Sequence, residues 1–356
     1  MSGSWGGGLK LSLFGESHGP AVGVVINGLP PGFAPDWDEV RGEMARRAPG
    51  NSPLTTPRRE SDEWEVLSGI FEGAATGAPL CAVIRNADAR SGDYERGVMR
   101  PGHADLTAFI KYGGYADYRG GGHFSGRLTA PLVFAGTLAR QILRADGIMI
   151  GARILSIRGV RDIDASPEEV LAASGAARGL PVCSAERGER MRAEIEAARE
   201  RGDSVGGVVE CVALGTPPGW GAPFFRSLES VVAEMMFSIP AVKGVEFGGG
   251  FAMSDKLGSE SNDQMRMSGG RVVYETNHNG GVAGGISTGQ PIVLRVAIKP
   301  TPTISRPQTT VDILRGETVE HSFAGRHDPC VAPRAAPVIE AGLALCLLDL
   351  RKEGSV

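Results

Sequence analysis

Lysine is scarce in this sequence, with six residues against 31 arginines. An arginine excess suits planar, two-pronged recognition of carboxylate and phosphate, although codon bias in a GC-rich genome produces the same imbalance. No long apolar run is present, which excludes a membrane-spanning helix and a membrane partner. The first residues, MSGSWGGGLK, lack a charged segment followed by an apolar one, so no signal peptide is expected. The five cysteines form no CxxC. Reduced thiols in a cytoplasmic protein are therefore expected, and a structural zinc is not. Neither HxxxH nor HExxH occurs, and the six histidines are dispersed, so no metal site is expected. No GxGxxG follows a strand and no GxxxxGK[ST] occurs, which leaves a dinucleotide-binding fold or a P-loop without support. A net charge of −4 does not point to nucleic acid. Apolar residues make up 42%, ordinary for a soluble globule, and 356 residues can bury a large core. No linker or shift in composition marks a boundary, so one domain over residues 1–356 is expected.

What is abundant is glycine, 52 residues, and it gathers around histidine and arginine. FGESHG places Glu16, Ser17 and His18 between Gly15 and Gly19. The branched apolar run Val22 to Ile26 that follows reads as a strand, stopped by Asn27-Gly28. A histidine thus sits on a tight loop at a strand end, where it is either a proton-transfer group or a loop residue bonded to backbone. RPGHAD, from Arg100 to Asp105, makes a second histidine loop before a short helix at 106–112. In YRGGGHFSGRLT, residues 118–129, three glycines free backbone amides to face an anion, with His123, Ser125 and Arg127 beside them. A long helix follows, with Pro131 tolerable only in its first turn. Ser125 to Arg127 would then precede a helix start, a natural place for an anion.

Asp36 to Glu39 reads as a capping box opening a helix that ends before Pro49-Gly50. Arg46 and Arg47 fall in its last turn, where a cation suits the helix dipole whether or not it binds a ligand. Arg58, Arg59, Arg85, Arg90, Arg96 and Arg100 crowd the same third of the chain. Strands are expected over 79–85, 205–214, 245–251 and 290–299, the last with Ile292, Leu294, Val296 and Ile298 on one face. Residues 184–202 read as a helix with a solvated face, residues 228–237 as a core helix, and residues 254–271 as an exposed polar insertion. GRHDPC, residues 325–330, precedes an apolar helix over 335–350. Glycine loops bearing histidine and arginine, with the strand end Lys299-Pro-Thr-Pro-Thr303, suit an enzyme acting on a phosphorylated anion.

FGESHG, RPGHAD, DYRGGG, AVKGVE, GGISTGQPI, KPTPT and GRHDPC occur in this order over nearly the whole chain. Together they resemble the chorismate synthase family. The resemblance implies an α+β fold, a β-α-β sandwich with helices between antiparallel sheets, and a homotetramer. It implies reduced FMN as cofactor and 5-enolpyruvylshikimate 3-phosphate as substrate. From that substrate the family eliminates phosphate and a ring hydrogen in a 1,4-anti sense, with no net redox change. By the same resemblance His18 protonates the leaving phosphate, His103 serves the reduced flavin and Asp328 assists proton transfer. Arg47, Arg100, Ser125, Arg127 and Arg326 match substrate positions. His123, Phe124, Ser125, Ala241, Gly284, Lys299, Pro300, Thr301, Pro302, Thr303 and Arg326 match flavin positions. A catalytically silent flavin- or metabolite-binding protein of the same fold is the alternative, against which both imidazoles speak.

The sequence departs from the family pattern at His123 and Gly126, where arginine and alanine are usual, and at Pro240 and Pro53, where asparagine and arginine are usual. Some members also reduce FMN with NADPH. With no dinucleotide fingerprint and no inserted reductase segment, this chain is expected to depend on reduced flavin supplied by a separate reductase.

Overall fold

The computed structural model describes residues 3–50, 54–56, 60, 62–87, 92, 94–175, 180–323 and 327–353. Helices α1 (Trp37–Arg47), α2 (Asp105–Lys111), α3 (Thr129–Ala145), α4 (Pro167–Ser174), α5 (Ala185–Glu200), α6 (Leu228–Ser238), α7 (Gly258–Ser261) and α8 (Ala332–Glu353) accompany two five-stranded antiparallel sheets. The first sheet contains β1 (Ser4–Trp5), β2 (Lys10–Gly15), β3 (Ala21–Asn27) and β4 (Trp64–Ser68). After a small hairpin, β5 (Ile70–Phe71) and β6 (Ala74–Ala75), it adds β7 (Leu80–Arg85), giving the order β1-β2-β3-β7-β4. The second contains β8 (Met149–Ile157), β9 (Val160–Arg161), β10 (Gly207–Leu214) and β11 (Val242–Phe247). Two hairpins follow, β12 (Met265–Ser268) with β13 (Arg271–Tyr274) and β14 (Val282–Ala283) with β15 (Ile286–Ser287). Then β16 (Ile292–Ile298) enters the middle of the sheet, in the order β11-β16-β10-β8-β9. A last hairpin pairs β17 (Gln308–Asp312) with β18 (Glu317–His321).

The expected sandwich is what the chain forms: α3 packs on β3 and β7, α8 packs on β8 and β10, and the two helices pack on each other. Both are buried on nearly every side, which is why neither shows a clean amphipathic stripe. Their closest approach is at Gly136, where a Cβ would lie 2.3 Å from Ala341 Cβ and 2.4 Å from Ala341 Cα. On β16, Ile292, Leu294, Val296 and Ile298 are buried and their neighbours are not, as the alternation requires. Asp36 caps α1 by accepting from the Asp38 and Glu39 amides, and Ser166 with Glu169 forms a reciprocal capping box on α4.

Several expectations shift. Glu39 does not complete a box with Asp36; its carboxylate takes Arg144 of α3. Helix α5 is not wholly solvated, because Gly188, Met191, Ile195 and Ala198 form a buried stripe at helical spacing. The strand expected at 245–251 starts at Val242 and ends at Phe247, and a 3-10 turn over Gly250–Asp255 replaces its end. The insertion at 254–271 is exposed and mostly polar as expected, but Leu257, Met265 and Met267 within it and Phe251 and Val272 beside it also lie in solvent. The C-terminal helix begins at Ala332, since Pro333 in its first turn costs no hydrogen bond.

The Gly136 contact yields a stability prediction. Alanine gains about 1 kcal/mol over glycine in a helix interior, whereas forcing a methyl into a packed core costs about 1–3 kcal/mol. Gly136→Ala is expected to lower the denaturant midpoint, and an unchanged or raised midpoint would show that α3 and α8 can part freely.

Candidate functional site

Helices α3 and α8 both start at the wall of a cavity of about 750 Å³, well inside the usual range for ligand sites. Thr129 and Leu132 of α3 and Ala335 and Val338 of α8 line it. Two helix starts therefore turn their positive dipole ends toward the same space. The apolar strip Trp5, Leu11 and Leu13 forms the wall from the first sheet. Ile239 to Val242, after α6, and the end of β16 form the opposite side.

The turn at Gly120 and Gly121 explains why three glycines stand there. Both have positive φ, 61° and 88°, and both press against a histidine. A Cβ on Gly120 would lie 2.4 Å from the His18 ring, and one on Gly121 would lie 2.7 Å from His103 Cε1. One backbone turn thus holds both imidazoles. Ser17 locks the contact: its amide donates to Gly122 O at 3.1 Å and its hydroxyl to Gly120 O at 3.2 Å. His18 is buried and meets Tyr94 edge to face at 5.1 Å. Arg100 lies over the other region of the Tyr94 ring, 5.2 Å from its centroid.

His103 is oriented by charge. Its Nδ1 is 2.9 Å from Asp105 Oδ1, and donating that proton leaves Nε2 as the acceptor. The same carboxylate takes Arg100 with two prongs, Nε at 2.7 Å and Nη2 at 2.8 Å. Burial alone would raise the Asp105 carboxyl, but hydrogen bonds from Arg100 and His103 outweigh it and hold it well below the usual range. Asp328 is likewise engaged, accepting from the Thr56 amide at 2.8 Å and from Arg334 Nη1. Arg334 also donates to the carbonyl of Arg47. The neighbouring Cys330 is no nucleophile, because burial pushes its thiol up to about 12.

Arg47 and Arg127 share one buried carboxylate. Asp62 Oδ2 accepts from Arg47 Nη1 at 2.6 Å and Oδ1 accepts from Arg127 Nη1. Burial would raise Asp62, but the charges of Arg47 and then Arg127 overcome that and lower it. Arg127 also meets Glu60 at 3.0 Å and donates to Asn86 and to the carbonyl of Arg85. Asn86 in turn donates to the carbonyls of Glu16 and Gly19, so Arg127 and the His18 loop share a support.

Of the residues singled out from the sequence, His18, His103 and Asp328 all reach this one cavity, with Arg47, Arg100 and Arg127. His123, Phe124, Ser125 and Ala241 line it too, as do Lys299, Thr301, Pro302 and Thr303. Pro300 is not on the wall, and Gly284 lies on the exposed turn between β14 and β15. Arg326, Arg58, Arg59, Arg90 and Pro53 lie outside the described residues. Arg46 goes elsewhere, to Glu43 and the fully buried Glu340. His123 donates its Nδ1 proton toward Gly15 O at 2.9 Å, and the Ser125 hydroxyl accepts from the Arg127 amide. No group of side chains among the described residues could hold a metal ion.

Sequence reasoning passed over Tyr94, Asn86, Glu60, Asp62 and Arg334. Arg334 carried a signal, since a cation in the first turn of an apolar helix opposes the dipole and needs another reason. Asn86, Glu60 and Asp62 carried none, because their partners lie 15 to 70 residues away in the chain. Two buried polar atoms on the wall, Trp5 Nε1 and Thr301 Oγ1, have no hydrogen-bond partner among the described residues. Such orphans, with this volume, fit a bound cofactor carrying polar ring atoms and a phosphate.

Residues 9–351 match the family described as chorismate synthase. The chain is similar to the chorismate synthase of Thermococcus kodakarensis, 48% identical over 344 residues that cover 96% of this chain and 95% of that one. It is similar to that of Korarchaeum cryptofilum at 47% identity over 349 residues, 96% of this chain and 95% of that one. A solved structure described as the crystal structure of chorismate synthase superposes with a TM-score of 0.77 at 31% identity, covering 98% of this chain and 93% of that one.

The Asp105 cluster gives a pH prediction. A carboxyl lowered by folding contributes stability that is fully present above its unfolded value near about 3.9 and is lost as pH falls toward the folded value. Asp105→Asn leaves Arg100 unpaired and is expected to cost about 3 kcal/mol at pH 7. The gap between variant and wild type should narrow once the pH drops below about 4. Denaturant titrations at both pH values check this, and a gap independent of pH would mean that Asp105 is not held as the anion.

Proposed function

Because the chain belongs to the chorismate synthase family of phosphate lyases, we propose that it converts 5-enolpyruvylshikimate 3-phosphate to chorismate by 1,4-anti elimination and requires reduced FMN. The observation that carries this reading is the convergence of His18, His103 and Asp328 with four arginines on one cavity. The substrate bears a phosphate and two carboxylates, and arginine forks with two helix starts are the chemistry that receives them. Reduced flavin, when bound, supplies electron density that eases cleavage of a poorly acidic C–H and the C–O bond to phosphate. FMN would be held by Lys299 to Thr303, Ala241, His123 and Phe124, with Trp5 Nε1 and Thr301 Oγ1 as donors awaiting an acceptor.

The chain's own part is binding, orientation and proton handling. His18 delivers a proton to the leaving phosphate oxygen as the C–O bond breaks. Its burial against Tyr94 and Gly120 restricts the ring and keeps water from the proton. His103, with Nδ1 held by Asp105, keeps Nε2 as an acceptor for a flavin N–H. Asp328, held in place by Arg334, assists the proton transfer. Pro300, Gly284 and Arg326 stay within the reading as flavin or substrate positions by family resemblance. A homotetramer belongs to it as well, supported by the exposed apolar residues Phe251, Met265, Met267 and Val272. A cytoplasmic setting is supported by five free cysteines.

The test is anaerobic assay of chorismate formation. Turnover is expected with photoreduced FMN and none with oxidised FMN, and failure with reduced FMN would sink the reading in favour of a silent binding protein. With NADPH and FMN in air, and contaminating reductase excluded, no sustained product is expected; sustained product would show that the chain reduces its own flavin. His18→Ala should lose about 10²–10⁴-fold in turnover, the usual worth of general acid catalysis, while flavin titration stays as in the wild type. Near-normal turnover would take the proton donor's role from His18.

A further inference from the structure

The arginines that face the cavity are already neutralised within the chain. Arg47 and Arg127 carry two positive charges, and Asp62 and Glu60 carry two negative ones against them. These two carboxylates are not equivalent. Asp62 is absent from the cavity wall, and none of its side chain reaches solvent. It sits behind the guanidinium pair and bridges both Nη1 atoms. Two like charges placed side by side in a buried site repel, and one carboxylate between them sets their spacing. The backbone shows how tightly this place is specified: Asp62 has φ of 52°, a left-handed conformation that aspartate and asparagine tolerate better than most residues.

Glu60, by contrast, lies on the cavity wall, beside Arg127 Nη1 at 3.0 Å. Arg127 Nε donates to Asn86 and one Nη2 proton to the carbonyl of Arg85. An anion approaching Nη1 from the cavity meets Arg127 where Glu60 already stands. It can use that donor only by taking the place of the Glu60 carboxylate.

We propose that Asp62 is a positioning residue that fixes Arg47 and Arg127 for the substrate, and that Glu60 is a resident anion on Arg127 that the substrate displaces. The proposal deepens the functional reading above and rests on it. A displaceable carboxylate explains how a buried arginine stays compensated in the empty site without an external counter-ion. It also makes the site selective: a ligand with one weak anionic group gains little by exchanging one carboxylate for another, whereas a phosphate with additional carboxylates gains at several arginines together.

The two roles predict opposite signs. Glu60→Gln removes the competitor but keeps its shape, so the enolpyruvyl phosphate should bind about three- to tenfold more tightly, the worth of one charge-assisted contact no longer broken. The salt dependence of binding should steepen, because an uncompensated cation now faces the cavity. Asp62→Asn, which suits the same backbone, should weaken binding about tenfold or more, as expected when a buried ion pair loses one partner. KM should move more than kcat. Calorimetric titration of wild type and both variants with 5-enolpyruvylshikimate 3-phosphate at low and high salt reads these shifts, with FMN affinity as the check on folding. Tightening in one variant and weakening in the other is the expected result. Unchanged or weaker binding by Glu60→Gln would overturn the displacement role, and unchanged binding by Asp62→Asn would overturn the positioning role. A general structural role would weaken substrate and flavin binding together. Should Asp62→Asn fail to fold, Glu60→Gln decides the displacement role, since disruption cannot tighten a site, and Asp62→Glu, which keeps the charge but moves the carboxylate, decides the positioning role: weaker substrate binding supports it and unchanged binding overturns it. No binding by the wild type would overturn the functional reading, and this proposal with it.

Discussion

The close contact between α3 and α8 is the constraint on which the rest of the molecule depends. The absence of a side chain at Gly136 lets α3 lie against Ala341 of α8. The two helices then form one buried layer that both sheets can cover. Because they start at the same cavity, the residues that precede each helix meet there. Ser125 and Arg127 arrive with α3, and Asp328 arrives with α8, although about two hundred residues separate them in the chain. A site assembled this way inherits the rigidity of the core, and the polar groups at the helix starts need no flexible loop to reach one another.

Charge compensation is the second organising element. Each arginine at the cavity is matched by a carboxylate: Arg100 by Asp105, Arg334 by Asp328, and Arg47 with Arg127 by Asp62 and Glu60. Buried cations without partners would be very costly. Matched in this way, they keep their orientation, and each pair offsets part of the cost of burial. One of these carboxylates also orients an imidazole, since Asp105 serves both Arg100 and His103. The glycine turn at 120–121 then sets the distance between the two histidines by pressing on both rings. Backbone shape and ion pairing thus act on the same groups from opposite sides.

Much of the fold was legible beforehand. Strand β16 alternates apolar and polar residues because one of its faces is buried, and a period of two is visible in any sequence that obeys it. The cap at Asp36 involves partners two and three residues away, so its signature is local. Helix α5 was harder to read, because Met191 and Ile195 are only two large apolar residues among many charges. The insertion at 254–271 was legible as exposed from its polar residues, although no periodic pattern marks Met265, Met267 and Val272 as surface rather than core.

The sequence by itself determined the histidine and glycine loops, several of the strands and helices, and the family to which those motifs belong. These properties reside in short segments, where residue type and spacing act directly on backbone conformation. Only the tertiary structure decided which arginines face the cavity and what neutralises them. Arg46 and Arg47 are adjacent and chemically identical, yet one is committed to Glu340 inside the helical layer and the other to Asp62 at the site. Successive helix positions point about 100° apart, and each side chain's fate depends on what long-range packing brings to that side.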